Sequence, residues 1–189
     1  MSFNTVVIYG SVRSQRQGIK AARFLVAKLA TRGHDVTLVD PLEDVLPMLD
    51  LRFSEYADGE APAAMQRVAE TLDAADGFVI VSGEYNGGIP PALKNLLDHY
   101  LPQYRRKASA IASYSGGSFA GTKTHAPLRL TMSQLGAPPI PPAFVVPQVQ
   151  DAFDDDGNAL DDAYHGRADK FLEEYEWYAN ALKEARHKL

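Results

Sequence analysis

The chain has 189 residues, of which 46% are hydrophobic and 23% charged, and its formal net charge is −5. This length suits one domain with a sizeable core, because two independent cores would each be small. The acidic balance argues mildly against nucleic-acid binding, which needs a basic face to neutralise phosphates. Because the sequence has no cysteine, it excludes disulfides, thiolate nucleophiles and cysteine-ligated zinc.

The N-terminal residues predict no targeting segment. The first ten residues run directly into a strand-like segment and lack a positive region followed by a long apolar stretch, so we expect no signal peptide. No apolar run approaches the ~20 residues that a membrane-spanning helix needs. We therefore expect a cytoplasmic protein.

Short β-branched runs alternate with amphipathic helical segments from the start of the chain. In the first half the spacing predicts a strand at 6–9, a helix at 19–30 that stops near Gly33, a strand at 36–39, a helix at 63–75 and a strand at 78–81. A long polar connection, from Pro41 to about Pro62, precedes the second helix.

The second half continues the alternation. It predicts a helix opened by Pro90-Pro91 that keeps its spacing to Leu101, a strand at 110–114, a helix at 128–135, a strand at 144–146 and a tail helix from about Asp161. Such alternation predicts a parallel sheet with helices on both faces and right-handed crossovers. The expected fold is α/β: a flavodoxin-like three-layer αβα sandwich with a five-stranded parallel sheet of order 2-1-3-4-5, forming a single domain over residues 1–189.

An acidic turn, Asp154-Asp155-Asp156-Gly157-Asn158, superficially resembles a calcium loop. The twelfth position of such a loop needs a glutamate, whereas this chain has His165 there. We expect a solvated loop and no metal site.

In an open parallel sheet, ligands bind beyond the carboxyl ends of the strands, so the loops after strands one, three and four are the candidate sites. The first loop, 10–18, leads into a helix and carries two hydroxyl donors and two cations: Ser11, Ser14, Arg13 and Arg16. This combination suits a phosphate. A dinucleotide fingerprint is absent, since Val12 takes the place of its second glycine. Taken alone, the loop is also compatible with a surface turn bearing two solvated arginines.

The second loop, 82–95, combines a strong turn signal with backbone that a flat ring could approach. Asn86-Gly87 favours a tight turn, and the following Gly88 keeps the backbone open. Tyr85 adds an aromatic plane and Glu84 a charge at the end of a strand. The alternative is a well-formed turn before a helix.

The third loop, 114–125, nearly matches a Walker loop. Lys123 comes one residue too late after Gly121, so we expect no hydrolysis of nucleoside triphosphates. His125 is a candidate acid–base group, but no partner is visible at useful spacing. We therefore expect a surface histidine beside the start of the next helix.

The three loops resemble the NAD(P)H-dependent FMN reductase family. The resemblance rests on Gly10-Ser11-Val12-Arg13 with Arg16 and Gly18, on Glu84-Tyr85-Asn86-Gly87 followed by Pro90 and Leu93-Lys94-Asn95, and on the glycine loop at 115–121. It covers about residues 4–146. It implies a flavodoxin-like homodimer or homotetramer that reduces flavins, quinones, azo compounds or oxidised metal species.

The resemblance also implies a role for individual residues. The FMN phosphate would be surrounded by Ser11, Arg13, Arg16, Gln17 and Gly18. The isoalloxazine ring would be bracketed, chiefly through backbone groups, by Glu84, Tyr85, Asn86 and Gly87. The far edge of the ring would be lined by Ser115, Gly116, Gly117 and Ser118. Two positions depart from the family pattern: Gly83 stands where a proline often precedes the glutamate, and Ala120-Gly121 stands where a glycine pair is common.

The implied reaction passes hydride from NAD(P)H, the co-substrate, through FMN to a small acceptor. The flavin does this chemistry, so we nominate no catalytic side chain. Three alternatives stay open: a flavodoxin-type one-electron carrier, a flavin-binding regulatory protein without significant turnover, and a Rossmann dehydrogenase in which Asp40 grips a ribose. The missing glycine pattern counts against the dehydrogenase.

The sequence also predicts self-association. The tail helix is rich in tyrosine and contains Trp177, and Tyr100 and Tyr104 follow the third helix. These apolar groups exceed what one small sheet must cover, and exposed apolar patches usually mark partner surfaces. We expect the flavin to lie near the interface.

Overall fold

The structure is a computed structural model that describes residues 2–188. Within this range it contains a parallel sheet of five strands, in the order β2-β1-β3-β4-β5. The strands are β1 (Asn4–Tyr9), β2 (Asp35–Val39), β3 (Gly77–Ser82), β4 (Ala108–Tyr114) and β5 (Pro139–Val146). The predicted fold class and strand order are therefore confirmed.

Helices cover both faces of this sheet. They are α1 (Gly18–Thr31), α2 (Ala63–Ala74), α3 (Pro91–Asp98), α4 (His125–Gln134), the one-turn α5 (Val149–Ala152) and α6 (Ala163–Arg186). Helix α1 ends as predicted: Gly33 has φ +86° and its N–H bonds to the carbonyl of Ala30 at 3.0 Å. Glycine adopts this left-handed conformation without steric cost.

Alternate residues of each strand contribute to two separate cores. Val7 and Tyr9 of β1 pack with α1 and α6, whereas Val6 and Ile8 pack with α2, α3 and α4. Successive side chains of a strand point to opposite faces, so a strand that is apolar throughout belongs between two layers of helices. Strands β3 and β4, at the centre, are buried along their whole length.

The register of the central strands brings their carboxyl ends together. Tyr9 pairs with Val81 across β1 and β3, and Ser82 pairs with Ser113 across β3 and β4. The loops that follow these three strands therefore start side by side at one edge of the sheet. This arrangement places the three predicted binding loops in reach of one another.

The third helix is shorter than its spacing predicts. Helix α3 ends at Asp98, and a single 3-10 turn, Pro102–Tyr104, follows it. A residue that precedes proline is disfavoured in the helical region, and Leu101 accordingly has φ −132°. Tyr100 and Tyr104 turn inward and are fully buried against α2 and β3, so the expectation that they face a partner is wrong.

The tail helix α6 also uses its aromatic side within the chain. Tyr164, Phe171 and Tyr175 are buried in the core that α6 shares with α1, β4 and β5. The apolar stripe on this helix is thus covered by the chain's own sheet and is not the association surface that the sequence predicts. Trp177, by contrast, is 66% exposed.

The acidic turn is closed by its own hydrogen bonds. The Asp154 carboxylate accepts from the backbone N–H of Asp156 at 3.1 Å, and from the N–H and side-chain amide of Asn158 at 2.8 Å each. These bonds lower the pKa of Asp154, the side-chain amide of Asn158 contributing most. Across residues 2–188 no three or more His, Cys, Asp or Glu side chains come together in a way that could hold a metal ion.

No helix in the described part of the chain is both long enough and apolar enough to span a membrane.

Candidate functional site

The three loops form one cleft at the carboxyl edge of the sheet, with a volume of about 220 Å³. Eight of the predicted site residues line it: Ser11, Arg13, Arg16, Gln17, Glu84, Tyr85, Ser115 and Gly116. Five predicted residues lie in the same loops but outside the lining: Gly18, Asn86, Gly87, Gly117 and Ser118. Five further lining residues were not predicted: Gln15, Gly83, Tyr114, Val149 and Gln150.

The first loop is folded around Ser11. The Ser11 side chain is buried, and its hydroxyl accepts a bond from the backbone N–H of Arg13 at 3.4 Å. The loop then enters α1 at Gly18, and the first turn of a helix presents N–H groups that have no intrahelical acceptor. These N–H groups, together with the helix dipole, favour an anion at the mouth of the loop.

The two arginines of this loop have different surroundings. The Arg16 guanidinium forms a salt bridge with the buried carboxylate of Asp40, and the hydrogen bond to Asp40 raises the pKa of Arg16. Arg16 is therefore not a solvated surface arginine. Arg13 is exposed, lines the cleft and forms no ion pair within residues 2–188.

Asp40 itself is buried and paired, which disfavours a contact with a ribose. Its Oδ1 accepts both the Arg16 guanidinium and the backbone N–H of Leu42, the latter at 3.0 Å. Only 3% of Asp40 is exposed. This engagement, with the absent glycine fingerprint, argues against the Rossmann dehydrogenase alternative.

Tyr114 forms the floor of the cleft. It is the last residue of β4, and its ring lies under the first and second loops: a β-carbon on Gly83 would lie 3.3 Å from Tyr114 Cζ. The Tyr114 hydroxyl donates to the hydroxyl of Tyr9 at 3.2 Å, and burial raises the pKa of both tyrosines. Sequence analysis did not predict this role, because the contacts join residues that lie 31 to 105 positions apart in the chain.

The second loop contains a tight hairpin turn. Tyr85 and Gly88 exchange two backbone hydrogen bonds, of 3.1 and 3.0 Å, around Asn86 and Gly87. Asn86 has φ +53° and Gly87 has φ +81°, the positive values that a type I′ turn requires. The turn that Asn86-Gly87 predicts is thus present, and the backbone at Gly87 faces open space.

Glu84 connects the second loop to the third. Its carboxylate accepts the backbone N–H of Lys123 at 3.1 Å. Lys123 lies in a 3-10 turn, Thr122–Thr124, that leads directly into α4. A carboxylate is favourable at a helix start, so Glu84 both fixes the third loop and stabilises α4.

The third loop lines the cleft and is hydrogen-bonded to the start of α5. The Ser115 carbonyl accepts from Val149 N–H at 3.1 Å, the Gly117 carbonyl accepts from Gln148 N–H at 3.2 Å, and the Ser115 hydroxyl donates to the Gly117 carbonyl at 2.9 Å. No atom lies within 4 Å of a β-carbon built on Gly117, so the backbone there is open to a ligand.

The Ala120-Gly121 pair keeps the backbone shape of two glycines. Ala120 has φ +52° and Gly121 has φ +69°. A β-carbon at Gly121 would meet the carbonyl oxygen of Tyr114 at 2.5 Å, so the second position requires glycine. Ala120 adopts a left-handed conformation that costs an L-residue about 1 kcal/mol. Both positions of the pair thus have positive φ, although only the second is a glycine.

His125 is half-buried and has a partner, so the expectation of a surface histidine is wrong. Its Nε2 lies 2.8 Å from Ser113 Oγ, and Ser113 Oγ donates to the Ala120 carbonyl at 2.8 Å. The serine has a single proton to donate, so His125 Nε2–H donates to Ser113. Burial, and secondarily Arg129, lowers the pKa of His125. His125 is the first residue of α4, three residues before the predicted start at 128, and it anchors the third loop to β4.

The fold and the edge-sited loops place the chain among flavodoxin-like α/β proteins. FerB, a flavoenzyme NAD(P)H:acceptor oxidoreductase from Paracoccus denitrificans, superposes with a TM-score of 0.73 at 21% identity, over 92% of this chain and 97% of that one. A flavodoxin mutant from Pseudomonas aeruginosa superposes with a TM-score of 0.57 at 16% identity, over 97% and 99% of the two chains.

Residues 3–151 match the family model described as NADPH-dependent FMN reductase, and the chain belongs to this family. An NAD(P)H-dependent FMN reductase of Schizosaccharomyces pombe is 33% identical over 122 residues, 59% of this chain and 57% of that protein. An FMN-dependent NADPH-azoreductase of Staphylococcus haemolyticus is 26% identical over 178 residues, 93% and 94% of the two chains. The predicted resemblance is confirmed, and with it the class of FMN-using, NAD(P)H-dependent oxidoreductases.

The residues present fit a flavin mononucleotide. At one end of the cleft, the free cation of Arg13 and the start of α1 suit a phosphate. Just outside the cleft lining, Gly87 of the Tyr85–Gly88 turn and Gly117 expose backbone, because no atom lies within 4 Å of a β-carbon built on either residue. Flat rings bind closely to such bare backbone, because no β-carbon keeps them at a distance.

Proposed function

We propose that this chain transfers hydride equivalents from NAD(P)H, through FMN, to small acceptors such as quinones, free flavin, azo compounds or oxidised metal species. The observation that carries the proposal is the cleft itself, where an anion-binding loop lies beside two loops of open backbone. When bound there, FMN supplies the hydride chemistry, and the protein supplies position and electrostatics.

The phosphate end would be held by Ser11, Arg13, Gln17 and the first N–H groups of α1. A flavin phosphate carries nearly two negative charges, and an anion that leaves water needs charged or fixed donors. Arg13 forms no ion pair with a carboxylate of residues 2–188, so it would contribute most of the charge-assisted binding. Arg16 lines the same cleft, but its guanidinium is also paired with Asp40.

The ring end would be held by backbone groups of the segments 84–87 and 115–118. The cleft volume of about 220 Å³ is below the ~300–1,000 Å³ that is typical for a ligand pocket. A whole FMN would therefore extend beyond the cleft along the exposed turn at Asn86-Gly87. A ring in that position is open to solvent on one face, as a ping-pong exchange of nicotinamide and acceptor requires.

The proposal assigns no side-chain base or nucleophile. The Glu84 carboxylate is engaged by the Lys123 backbone, and the hydroxyls of Tyr9 and Tyr114 bond to each other. Burial keeps both tyrosines protonated by raising their pKa values. Protons for a reduced acceptor would come from solvent at the open face.

A second candidate function is one-electron transfer, which the structural likeness to a flavodoxin favours. The two functions differ in what NADPH does. We expect the FMN-loaded protein to lose its flavin absorbance rapidly and fully when NADPH is added without oxygen, and a quinone to restore it. Slow or absent bleaching with both NADPH and NADH would contradict the reductase and favour the carrier or a regulatory protein.

We also propose that the chain forms a homodimer or homotetramer with the flavin near an interface, and that it works in the cytoplasm. The apolar surface that supports assembly differs from the one the sequence indicates. It joins the first loop to the connection after β2, and its exposed members are Val12, Leu42, Val45, Met48 and Leu51. Val12 and Val45 share one recess there, beside the cofactor loop. A monomer mass by light scattering at micromolar concentration would contradict this assembly.

A further inference from the structure

We infer that Asp40 is a positioning residue for the phosphate end of the cleft, and that it acts through Arg16 on the backbone of the first loop. The inference rests on the proposed binding of FMN in this cleft. It assigns to Asp40 neither a contact with ligand nor a part in the chemistry.

Asp40 is placed for this role by the sheet. It follows the last residue of β2, and the register pairs Val39 with Ile8 of β1, so Asp40 lies beside the start of the first loop. The carboxylate is buried, and the Leu42 N–H donates at 3.0 Å to Oδ1, the oxygen that Arg16 also contacts. A buried carboxylate needs a paired cation, and Arg16 is that cation.

Arg16 connects the buried Asp40 to the backbone of the first loop. The same nitrogen that meets Asp40 also donates to the Ser11 carbonyl at 3.3 Å. The guanidinium carbon lies 5.3 Å from the centre of the Tyr9 ring, within the range of a cation–π contact. Three groups therefore fix the Arg16 guanidinium in one place: Tyr9 at the end of β1, Ser11 in the first loop and Asp40 just after β2.

Ser11 is consequently held from both sides. Arg16 fixes its carbonyl, while its hydroxyl accepts the Arg13 N–H at 3.4 Å. The backbone that carries Arg13 is thereby ordered before a ligand arrives. Preorganisation of this kind raises affinity, because the cost of ordering the loop is not charged against binding.

A direct role for Asp40 is disfavoured by charge. A carboxylate close to a phosphate would repel it, and here the Arg16 guanidinium stands between Asp40 and the cleft that Arg16 lines. The Arg16 guanidinium shields the Asp40 carboxylate from the cleft, and the carboxylate in turn holds the guanidinium in place. Loss of Asp40 should therefore weaken the phosphate contribution and leave the ring contribution unchanged.

The test compares two flavins that differ in the phosphate. Apo-protein is titrated with FMN and with riboflavin, and the ratio of the two dissociation constants is the readout. We expect Asp40→Ala to reduce the preference for FMN by about three- to tenfold, which is the cost of ordering one or two side chains. The amide oxygen of Asp40→Asn can accept the same two bonds. This variant should therefore reduce the preference for FMN by about half as much, on a logarithmic scale, as Asp40→Ala does.

A double-mutant cycle shows whether Asp40 acts through Arg16. In an Arg16→Gln background, Asp40→Ala and Asp40→Asn should change the ratio no further, because residues that act as a unit are not additive. If Asp40→Ala fails to fold, the cycle is completed with Asp40→Asn. Additive losses would overturn the inference, as would an unchanged ratio in a folded Asp40→Ala protein.

Asp76 provides a matched control. It is also buried and also pairs with an arginine, Arg186, but it precedes β3 at the opposite edge of the sheet. Asp76→Ala should lower stability and leave the ratio of the two dissociation constants unchanged. If the ratio fell as far as in Asp40→Ala, the Asp40 effect would be a general loss of stability, and the inference would be overturned. A wild-type chain that binds riboflavin as tightly as FMN would instead refute the proposed phosphate site.

Discussion

The ring of Tyr114 occupies the space that a side chain at position 18 would need. A β-carbon built on Gly18 would lie 2.0 Å from Tyr114 Cζ. Gly18 begins α1 and Tyr114 ends β4, so this contact determines how closely the helix start approaches the sheet. The glycine is thus required by packing, whatever its part in binding a phosphate.

Gly18→Ala should therefore destabilise the protein by about 1–3 kcal/mol, the usual cost of overpacking a filled site. In a double variant with Tyr114→Val the cost should be smaller than the sum of the two single changes, because valine vacates the space. Urea unfolding of all three proteins measures this. Gly117→Ala, at an open position of the third loop, is the control and should be neutral. Additive costs would show that the ring does not set the position of α1.

Arg13→Ala should weaken FMN binding by about ten- to hundredfold, since a hydrogen bond to a charged group contributes roughly 1.5–3 kcal/mol. Riboflavin should bind the variant and the wild type almost equally. Arg23→Ala is the control: Arg23 lies on α1, donates to the Asp155 carbonyl at 2.6 Å and is remote from the cleft lining. Equilibrium titration with both flavins decides the matter. Unchanged FMN affinity in Arg13→Ala would mean that the phosphate lies elsewhere.

The turn of the second loop predicts that alanine substitutions at two adjacent glycines, Gly87 and Gly88, have different effects on stability. Gly87 has φ +81°, so Gly87→Ala should cost about 1–2 kcal/mol of stability. Gly88 lacks a positive φ, and a β-carbon there would lie 3.5 Å from the Tyr85 carbonyl oxygen, an ordinary contact. Gly88→Ala should therefore be nearly neutral. Thermal unfolding of the two variants compares them, and equal losses would contradict the type I′ geometry.

Lys107 makes stability depend on pH at the edge of the sheet opposite the cleft. Burial lowers its pKa to about 8, although its ammonium donates to the carbonyls of Leu72 and Asp73. An unfolded lysine titrates near ~10.5, so between these values the unfolded chain binds more protons and stability rises with pH. Urea midpoints at pH 7.5 and 9.5 should show this rise.

Lys107→Met should abolish that rise, whereas Lys170→Met, at an exposed position of α6, should retain it. Above pH ~10 a second effect of opposite sign begins. Burial raises the pKa values of Tyr100, Tyr104 and Tyr175, so their unfolded forms ionise first and stability falls. A wild-type protein whose midpoint is flat from pH 7.5 to 9.5 would show that Lys107 stays charged in its pocket.

The sheet and its binding edge could be predicted because they depend on local patterns. The β-branched runs, the stop at Gly33 and the turn at Asn86-Gly87 each reflect the conformational preferences of nearby residues. Helical spacing did not reveal where α3 ends, since Pro102, four residues beyond Asp98, changes the path of the chain. Nor did it show that Tyr100 and Tyr104 turn inward.

Within the site, the sequence identified the loops but not the contacts between them. Arg16 and Asp40 are 24 residues apart, and Glu84 and Lys123 are 39 apart. Composition and spacing assign a charge to each residue, but only the tertiary fold pairs one charge with another. Sequence analysis therefore assigned the same role to both arginines, although Arg16 is paired with Asp40 and Arg13 forms no ion pair among the described residues.

Helix α6 lies beyond the segment that the family model matches, although it belongs to the folded core. The family match ends at residue 151, before this helix begins at Ala163. Yet Phe171, Leu172 and Tyr175 complete the core over β4 and β5, and Tyr175 even bonds to Thr5 of β1 at 3.1 Å. A fragment that ends at residue 151 would expose the part of this face that lies over β4 and β5, because α1 alone would remain to cover it. The shortest chain that keeps this core closed therefore extends well past the segment that defines the family.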